Sequence, residues 1–234
     1  MKITWLGQAG LMFETCGKTV IVDPYLSDSV AKINPINARL VPVDERFWAV
    51  KPDVLLFTHD HLDHIDPESI AHYLPDSRVL VLASEGGCQK IRSQFGSEPN
   101  RMVVATPGLT WTEGEIVIYT VYASHSDPNA VGYILSAEGK NYYVTGDTLY
   151  HEKVFASLPD LPLEAVFLPI NGFGNNMNAV DAARFALRTK AKFAVPLHFG
   201  LFDSFTGDLL QCPNRVIPSF FEEIRFPGAP LQDL

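Results

Sequence analysis

The order of strand-length apolar runs constrains the fold of this chain more than any other feature. Short β-type runs open the chain at Lys2–Leu6, Gly10–Thr15 and Lys18–Val22. A block that alternates strands with helical patterns follows, and the same two kinds of block then repeat in the second half. One doubly wound sheet would need strands and helices to alternate throughout. The pattern therefore predicts an α+β fold with two stacked sheets and helices outside them.

The later elements follow from apolar runs and from residues that begin helices. Helices are predicted to begin at Asp66 and Asn178, since both residue types cap helix N-termini. Residues 26–50 show no sustained period and are predicted to form a long loop excursion within a single domain over residues 1–234. Further strands are predicted at Asp53–Thr58, Val79–Ala83, Arg101–Ala105, Glu115–Ala123, Val131–Ser136, Asn141–Thr145, Ala165–Ile170 and Lys192–Leu197.

Charge and composition exclude several classes of protein. Lys and Arg number 18 against 27 Asp and Glu, a net charge of −9, which repels phosphate backbones and disfavours nucleic acid as a partner. The longest apolar runs, such as Ala165–Ile170, are too short to cross a bilayer, so no membrane partner is expected. The opening Met1–Gly7 lacks the features of a signal peptide. The three cysteines contain no CxxC pair and suit a reducing compartment, so we expect a cytoplasmic protein.

Three histidines fall within six residues directly after a predicted buried strand. Imidazole and carboxylate are good ligands for Zn, Mn and Fe. A loop at the end of a strand can present such side chains to a cleft on a rigid scaffold. This segment therefore predicts a metal site, and it comprises Thr58, His59, Asp60, His61, Leu62, Asp63 and His64.

Three further ligand-type residues follow other predicted strands, namely His125, Asp147 and His198. Each has an ordinary explanation when taken alone, because Gly-Asp pairs are typical of turns and isolated histidines are typical of surfaces. However, each comes at the downstream end of an apolar strand. One edge of the two sheets could therefore gather all three beside the histidine segment.

The segment from His59 to His64 resembles the HxHxDH motif of the metallo-β-lactamase superfamily. His125, Asp147 and His198 fall in the order of that superfamily's later ligands, and the resemblance covers nearly the whole chain. Four stretches are similar to its branch of L-ascorbate-6-phosphate lactonase-like metal-dependent hydrolases. They are residues 5–7 with 21–24, Thr58–Asp66, Thr145–Thr148 and Pro196–His198.

The resemblance implies an αββα four-layer sandwich with two divalent metal ions at one edge. It implies that His59, His61 and His125 hold the first ion. It implies that Asp63, His64 and His198 hold the second ion, and that Asp147 bridges both. Because no cysteine belongs to this set, the ligands are compatible with Zn, Mn or Fe, of which zinc is preferred here. The histidine at position 61, where the diiron flavoprotein relatives carry Glu, argues against their redox chemistry.

Two such ions would stabilise a bridging hydroxide near neutral pH, and this hydroxide would attack a carbonyl carbon or phosphorus. Asp63 and Asp147 are the candidate catalytic carboxylates, with Asp63 as a proton shuttle to the leaving group and Asp147 as the bridge. Asp23 ends a predicted strand, where its carboxylate could accept the free N–H of a ligand histidine. A simple turn residue before Pro24 is the alternative interpretation of Asp23.

Four other residues are candidates for substrate contacts. Asn171 and Asn175 belong to a Gly/Asn loop next to the predicted metal edge and could hold substrate oxygens. Arg39 and Arg46 lie in the excursion and could pair with a phosphate or carboxylate. An ordinary loop and solvated surface arginines are the competing interpretations.

The predicted function is a dinuclear metal-dependent hydrolase that acts on a small, anionic ester or lactone. A phosphodiesterase at the same site is the alternative, because the same hydroxide can attack phosphorus. The net charge of −9 argues against a nuclease. The complete ligand set argues against a non-catalytic metal-binding domain. The expected partner is a small-molecule substrate, and a homo-oligomer is left open.

Overall fold

Two six-stranded sheets dominate the computed structural model, which describes residues 1–76, 78–95 and 101–228. The first sheet contains Lys2–Gly7 (β1), Gly10–Thr15 (β2), Lys18–Val22 (β3), Val54–Phe57 (β4), Leu80–Ala83 (β5) and Met102–Val104 (β6). The second contains Thr110–Glu113 (β7), Ile116–Tyr122 (β8), Val131–Ala137 (β9), Lys140–Val144 (β10), Ala165–Pro169 (β11) and Phe193–Leu197 (β12). In both sheets, strands adjacent in the sequence are neighbours in space.

Each sheet begins with antiparallel strands and ends with parallel ones. Strands β1 to β3 and β7 to β10 form antiparallel hairpins, whereas β3 to β6 and β10 to β12 pair in parallel. Two hairpins turn at Cys16-Gly17 and Glu138-Gly139, where φ is positive at both residues. Two-residue turns of this kind match the right-handed twist of the flanking strands.

Among the described residues, five α-helices connect the parallel strands or lie in the loops. They are Ser29–Ile33 (α1), Pro67–Tyr73 (α2), Glu85–Phe95 (α3), Glu152–Ser157 (α4) and Ala179–Thr189 (α5). The Asp66 carboxylate accepts backbone N–H bonds at the start of α2, and the Asn178 side chain does the same for α5. Both predicted helix starts are therefore confirmed, with the capping residues that the sequence indicates.

Alternation along the strands places the core on both faces of the first sheet. Val54 and Leu56 pack in the cluster that also contains inward residues of the second sheet. Leu55 and Phe57 belong to a separate cluster with residues of α2 and α3. Helix α5 packs on β11 at the far side of the second sheet. The predicted α+β arrangement of two stacked sheets with outer helices is confirmed.

Two features differ from the sequence prediction. Residues 26–50 are not a plain loop, because they contain α1 and two short 3-10 helices at Pro35–Asn37 and Glu45–Ala49. Strand β7 was not expected, since Thr110–Glu113 carries a single large apolar side chain and gives a weak alternation signal. The single domain over residues 1–234 stays a prediction, and its residues 77, 96–100 and 229–234 lie outside the described part.

Candidate metal centre

The predicted ligands follow the ends of four strands that reach one edge of the sandwich. His59 to His64 lie beyond β4, His125 beyond β8, Asp147 beyond β10 and His198 beyond β12. Hereafter the His/Asp cluster means the seven predicted ligands, which are His59, His61, Asp63, His64, His125, Asp147 and His198. Three triplets within it place their donor atoms within 4.8 Å of one another, and together these triplets include all seven residues.

The triplets divide the cluster into two halves. The first half consists of His59, His61 and His125, and the second half consists of Asp63, His64 and His198. Asp147 groups with His59 of the first half and His64 of the second half. The geometry therefore gives Asp147 the position between the halves that a bridging carboxylate needs.

The spacing of donor atoms suits a shared cation. His61 Nδ1 lies 3.2 Å from His125 Nε2, and His64 Nε2 lies 3.4 Å from Asp147 Oδ1. His198 Nε2 lies 3.3 Å from Asp63 Oδ2. Two ligands bound at about 2.0–2.1 Å to tetrahedral zinc are roughly 3.3–3.4 Å apart. The side chains therefore already stand at coordination spacing.

Three donor atoms in the cluster are buried without a hydrogen-bond partner. They are His59 Nε2, His64 Nε2 and Asp147 Oδ1. A buried polar atom without a partner costs free energy, so such atoms call for an explanation. Divalent cations held by the two halves would satisfy these three atoms, and the residues present therefore fit a metal site.

The other ring nitrogens of the ligand histidines contact outer residues. His64 Nδ1 lies 2.8 Å from Asp23 Oδ2, and His59 Nδ1 lies 3.0 Å from Thr58 Oγ1. Thr58 in turn donates its hydroxyl to Asp23 Oδ2 at 2.6 Å and its backbone N–H to Asp23 Oδ1 at 2.8 Å. Partners of this kind leave the opposite ring nitrogen free to bind metal. Asp23 thus lies within hydrogen-bond distance of one predicted ligand histidine and bonds to Thr58, which contacts another.

The remaining first-half histidines are held from two loops. His61 Nε2 lies 3.2 Å from Ser126 Oγ, and His125 Nδ1 lies 3.3 Å from the Asn175 carbonyl oxygen. These contacts leave His61 Nδ1 and His125 Nε2, the two atoms that face each other, for a cation. The ring orientations are therefore determined outside the cluster.

Gly146 permits a close approach between the two sheets at this edge. Its φ is +61°, and an added Cβ would stand 2.7 Å from the Thr58 Cβ atom. Only glycine accommodates both the left-handed backbone and this contact. The chain therefore brings Asp147, the next residue, directly over the loop that carries His59 and His64.

Burial and the neighbouring carboxylates shift the pKa values of the cluster histidines in opposite directions. Burial alone would lower the pKa of His64 and His198. The Asp147 carboxylate is the main group that instead raises the pKa of His64 well above its usual range and that of His198 to about 10. Burial dominates at His59 and keeps its pKa below the usual range. In the absence of metal, protons on His64 and His198 offset the negative charge of Asp63 and Asp147.

The two predicted arginines have partners outside the cluster. Arg39 donates to the carbonyl oxygens of Tyr25, Ser27 and Val41, and these bonds tie the excursion together. Arg46 forms an exposed pair with Asp44 and donates to the Phe221 carbonyl oxygen. The structure does not bring either guanidinium to the cluster among its described contacts.

The Gly/Asn loop contributes to the cluster through a residue that the sequence analysis missed. The Asn175 side chain is exposed, and its contact with His125 comes from the backbone. Asn171 pairs with Asn178 in an isolated bridge. Instead, Asn176 is buried and donates its amide N–H to Asp147 Oδ2 at 2.8 Å. In the sequence, the only feature that marks Asn176 is its position directly before the apolar residue Met177, and this is a weak signal.

Gln8 is a second residue that sequence reasoning missed. It follows β1, is 1% exposed, and donates its amide N–H to Asp63 Oδ2 at 2.8 Å. Its backbone has a φ of +48° and its carbonyl oxygen accepts the His198 N–H at 2.9 Å. Like the predicted ligands, it follows a strand end, and that position is the signal that could have revealed it.

A sandwich of two sheets with a His/Asp cluster at one edge is the arrangement of metallo-β-lactamase proteins. The family model of the beta-lactamase superfamily domain matches residues 2–198. A metal-dependent hydrolase of Anoxybacillus flavithermus is 30% identical over 234 residues, covering 92% of this chain and 93% of that protein. The chain belongs to the metallo-β-lactamase superfamily.

Solved structures agree with this fold. Igni18, a metallo hydrolase from Ignicoccus hospitalis, has a TM-score of 0.71 at 17% identity, covering 95% of this chain and 97% of that one. An isothiocyanate hydrolase from Delia radicum gut bacteria has a TM-score of 0.72 at 22% identity, covering 97% and 99% of the two chains. At these identities the comparison establishes the fold, and the reaction must be argued from the site.

No helix of the described residues has the length and apolar character needed to span a membrane.

Proposed function

We propose that this protein is a dinuclear metal-dependent hydrolase that cleaves a small, anionic ester or lactone. One observation supports this proposal most directly. Donor atoms from both sheets face one another at coordination spacing, and three of them are buried without a hydrogen-bond partner. The similar protein of Anoxybacillus flavithermus is named a metal-dependent hydrolase, and that name supports the same reaction class for this chain.

The chain's own residues would divide the work between holding ions and moving a proton. The first half would hold one cation, the second half the other, and Asp147 would bridge them. Bound there, two divalent cations would make water nucleophilic near neutral pH and polarise the electrophile. Asp63 is the more exposed carboxylate, with 19% of its side chain accessible against 5% for Asp147. Asp63 is therefore the residue that would pass a proton to the leaving group.

In this proposal the negative charge of the substrate would meet the cations. Arg39 donates from Nε and Nη1 to backbone carbonyl oxygens and keeps a buried Nη2 without a hydrogen-bond partner, whereas Arg46 pairs with Asp44. An ester or lactone carbonyl with a nearby carboxylate or phosphate could approach both ions from the open side of the cluster. The choice of a lactone rests on the sequence resemblance to the L-ascorbate-6-phosphate lactonase-like branch, and a phosphodiesterase is the alternative for the same site.

The experiment combines metal content with a hydrolysis panel. Protein purified without chelators should contain two equivalents of Zn, Mn or Fe by elemental mass spectrometry. It should then hydrolyse members of a panel of esters and lactones with and without anionic groups. Turnover of chromogenic phosphodiesters alone would favour the alternative. Less than half an equivalent of metal, with no uptake on addition, would overturn the proposal.

A pair of histidine variants distinguishes the loss of a metal ligand from the general effect of removing a histidine. His61→Ala should abolish turnover and lower metal content, because His61 offers Nδ1 to the first half. His72→Ala is the matched control, since His72 lies in α2, is exposed, and packs on Trp48. We expect the control to keep both metal and turnover. Full activity of His61→Ala would refute the assignment.

We also propose a cytoplasmic location and a small-molecule partner for this protein. Cys16, Cys88 and Cys212 form no disulfide bond with one another, which is typical of proteins in the cytoplasm. A small molecule is the proposed partner, and the net charge of −9 argues against nucleic acid.

A further inference from the structure

Gln8 contacts the second half of the cluster with a group that cannot bind metal. Its Nε2 atom lies 2.8 Å from Asp63 Oδ2 and 3.0 Å from His198 Nε2. These are two of the donor atoms proposed for the second cation. An amide nitrogen donates hydrogen bonds but offers no lone pair to a cation.

The backbone holds Gln8 in this position. Its carbonyl oxygen accepts the indole N–H of Trp5 at 3.1 Å and the His198 N–H at 2.9 Å. Gln8 and His198 both have left-handed backbones, with φ of +48° and +59°. Strained residues persist only where surrounding contacts enforce them, and they concentrate at functional sites. The Gln8 amide is therefore built into the second half rather than resting there by chance.

The first half has no comparable occupant among the described residues. His61 Nδ1 and His125 Nε2 face each other, and His59 Nε2 has no hydrogen-bond partner. The nearest analogue of Gln8 is Asn176, whose amide also lies 2.8 Å from a cluster carboxylate. Within the cluster, the Asn176 amide donates to Asp147, so it can support that carboxylate without standing between two ligands.

We propose that Gln8 makes the two halves unequal in metal affinity. The first half fills first, whereas a cation in the second half must break the hydrogen bond from the Gln8 amide to Asp63 Oδ2 and displace the amide from its place beside His198. Gln8 thereby acts as a positioning residue that sets when the enzyme becomes dinuclear. This inference rests on the proposed function, since it assumes that both halves bind metal.

The test is a Zn²⁺ titration of the metal-free full chain against a chromogenic chelator of known affinity. Wild-type protein should bind two ions in separate steps. Gln8→Met keeps the side-chain length but removes the amide, and Gln8→Ala removes the whole group. In both variants the second step should tighten by about 10-fold, the effect of one lost hydrogen bond to a charged group. The first step should stay unchanged.

Asn176→Ala is the matched control, because it removes a buried amide that supports one carboxylate. Its metal binding should weaken or stay the same rather than tighten at the second step. Circular dichroism of each metal-free variant checks that it folds. An unchanged or weaker second step in a folded Gln8 variant would overturn this inference alone. If the wild-type chain binds no zinc, the proposed function falls together with it.

Discussion

Asp23→Asn tests how one buried carboxylate orients ligands in both halves of the cluster. Asp23 is fully buried and accepts bonds from the Thr58 N–H, the Thr58 hydroxyl and His64. The hydroxyl is thereby able to accept the N–H of His59, 3.0 Å away. A single carboxylate thus determines the tautomers of His59, which belongs to the first half, and His64, which belongs to the second.

The substitution replaces one acceptor oxygen with an N–H₂ donor. The new oxygen can still accept the Thr58 N–H, so the amide would face the Thr58 hydroxyl and His64 Nδ1. The hydroxyl must then turn toward His59, and both imidazoles are driven to carry their proton on Nε2. A protonated nitrogen cannot bind metal, so each half loses a ligand in its working form.

The expected magnitude follows from outer-partner effects on metal sites. Loss of such a partner typically costs 10–100-fold in affinity, which corresponds to about 1.4–2.8 kcal/mol. Because Asp23 serves both halves, both binding steps should weaken by that factor. Loss of the charged hydrogen bonds should also lower the free energy of unfolding, by roughly 1.5–3 kcal/mol for each bond that is not replaced.

The assay is the chelator competition with Zn²⁺, and Asp53→Asn is its control. Asp53 also joins β3 to β4, since its carboxylate accepts the Thr19 N–H at 2.8 Å, but it contacts no cluster residue. The control should bind metal as the wild-type chain does. Wild-type affinity at both steps in folded Asp23→Asn would refute the tautomer argument.

Three further predictions test proton linkage, close approach and capping. Calorimetry in buffers of different ionisation enthalpy should show about two protons released at pH 7 as two metal ions bind, because the raised pKa values of His64 and His198 leave both side chains protonated without metal. The metal affinity should therefore rise as the pH increases from 7 toward 10. Metal binding without proton release would contradict this prediction. Gly146→Ala should lower the free energy of unfolding by about 2–4 kcal/mol in urea, through its φ of +61° and the Thr58 contact; a change below 1 kcal/mol would contradict the packing argument. Asn178→Ala should cost about 1 kcal/mol in the same assay, since its side chain accepts two N–H groups of α5, and an unchanged value would mean that the cap is dispensable.

Most of the fold could be predicted because its signals are local. Apolar runs of strand length and capping residues such as Asp66 and Asn178 act within a few positions of the chain. Exceptions arise where the local signal is weak. Strand β7 has little apolar character and is held by pairing with β8. Helix α1 has 5 residues and is too short to show a period.

The residues of the candidate site also divide into those with a local sequence signal and those without one. The segment from His59 to His64 stands out because its ligand-type residues are close in sequence. Gln8 and Asn176 do not, since an isolated amide has no pattern that separates it from a loop residue. Arg39 shows what the sequence leaves open. Its charge suggests an anion contact, and folding places its Nε and Nη1 against three carbonyl oxygens while Nη2 is buried without a hydrogen-bond partner.

The sequence by itself determined which residues could bind metal and that each follows a strand. It did so because ligand chemistry and strand periodicity are properties of short segments. Only the tertiary structure decided that these strand ends meet, that Asp147 lies between the halves, and which ring nitrogen of each histidine is free. Those outcomes depend on contacts between distant segments, such as Asp23 with His64 and Gln8 with His198, and no local pattern encodes them.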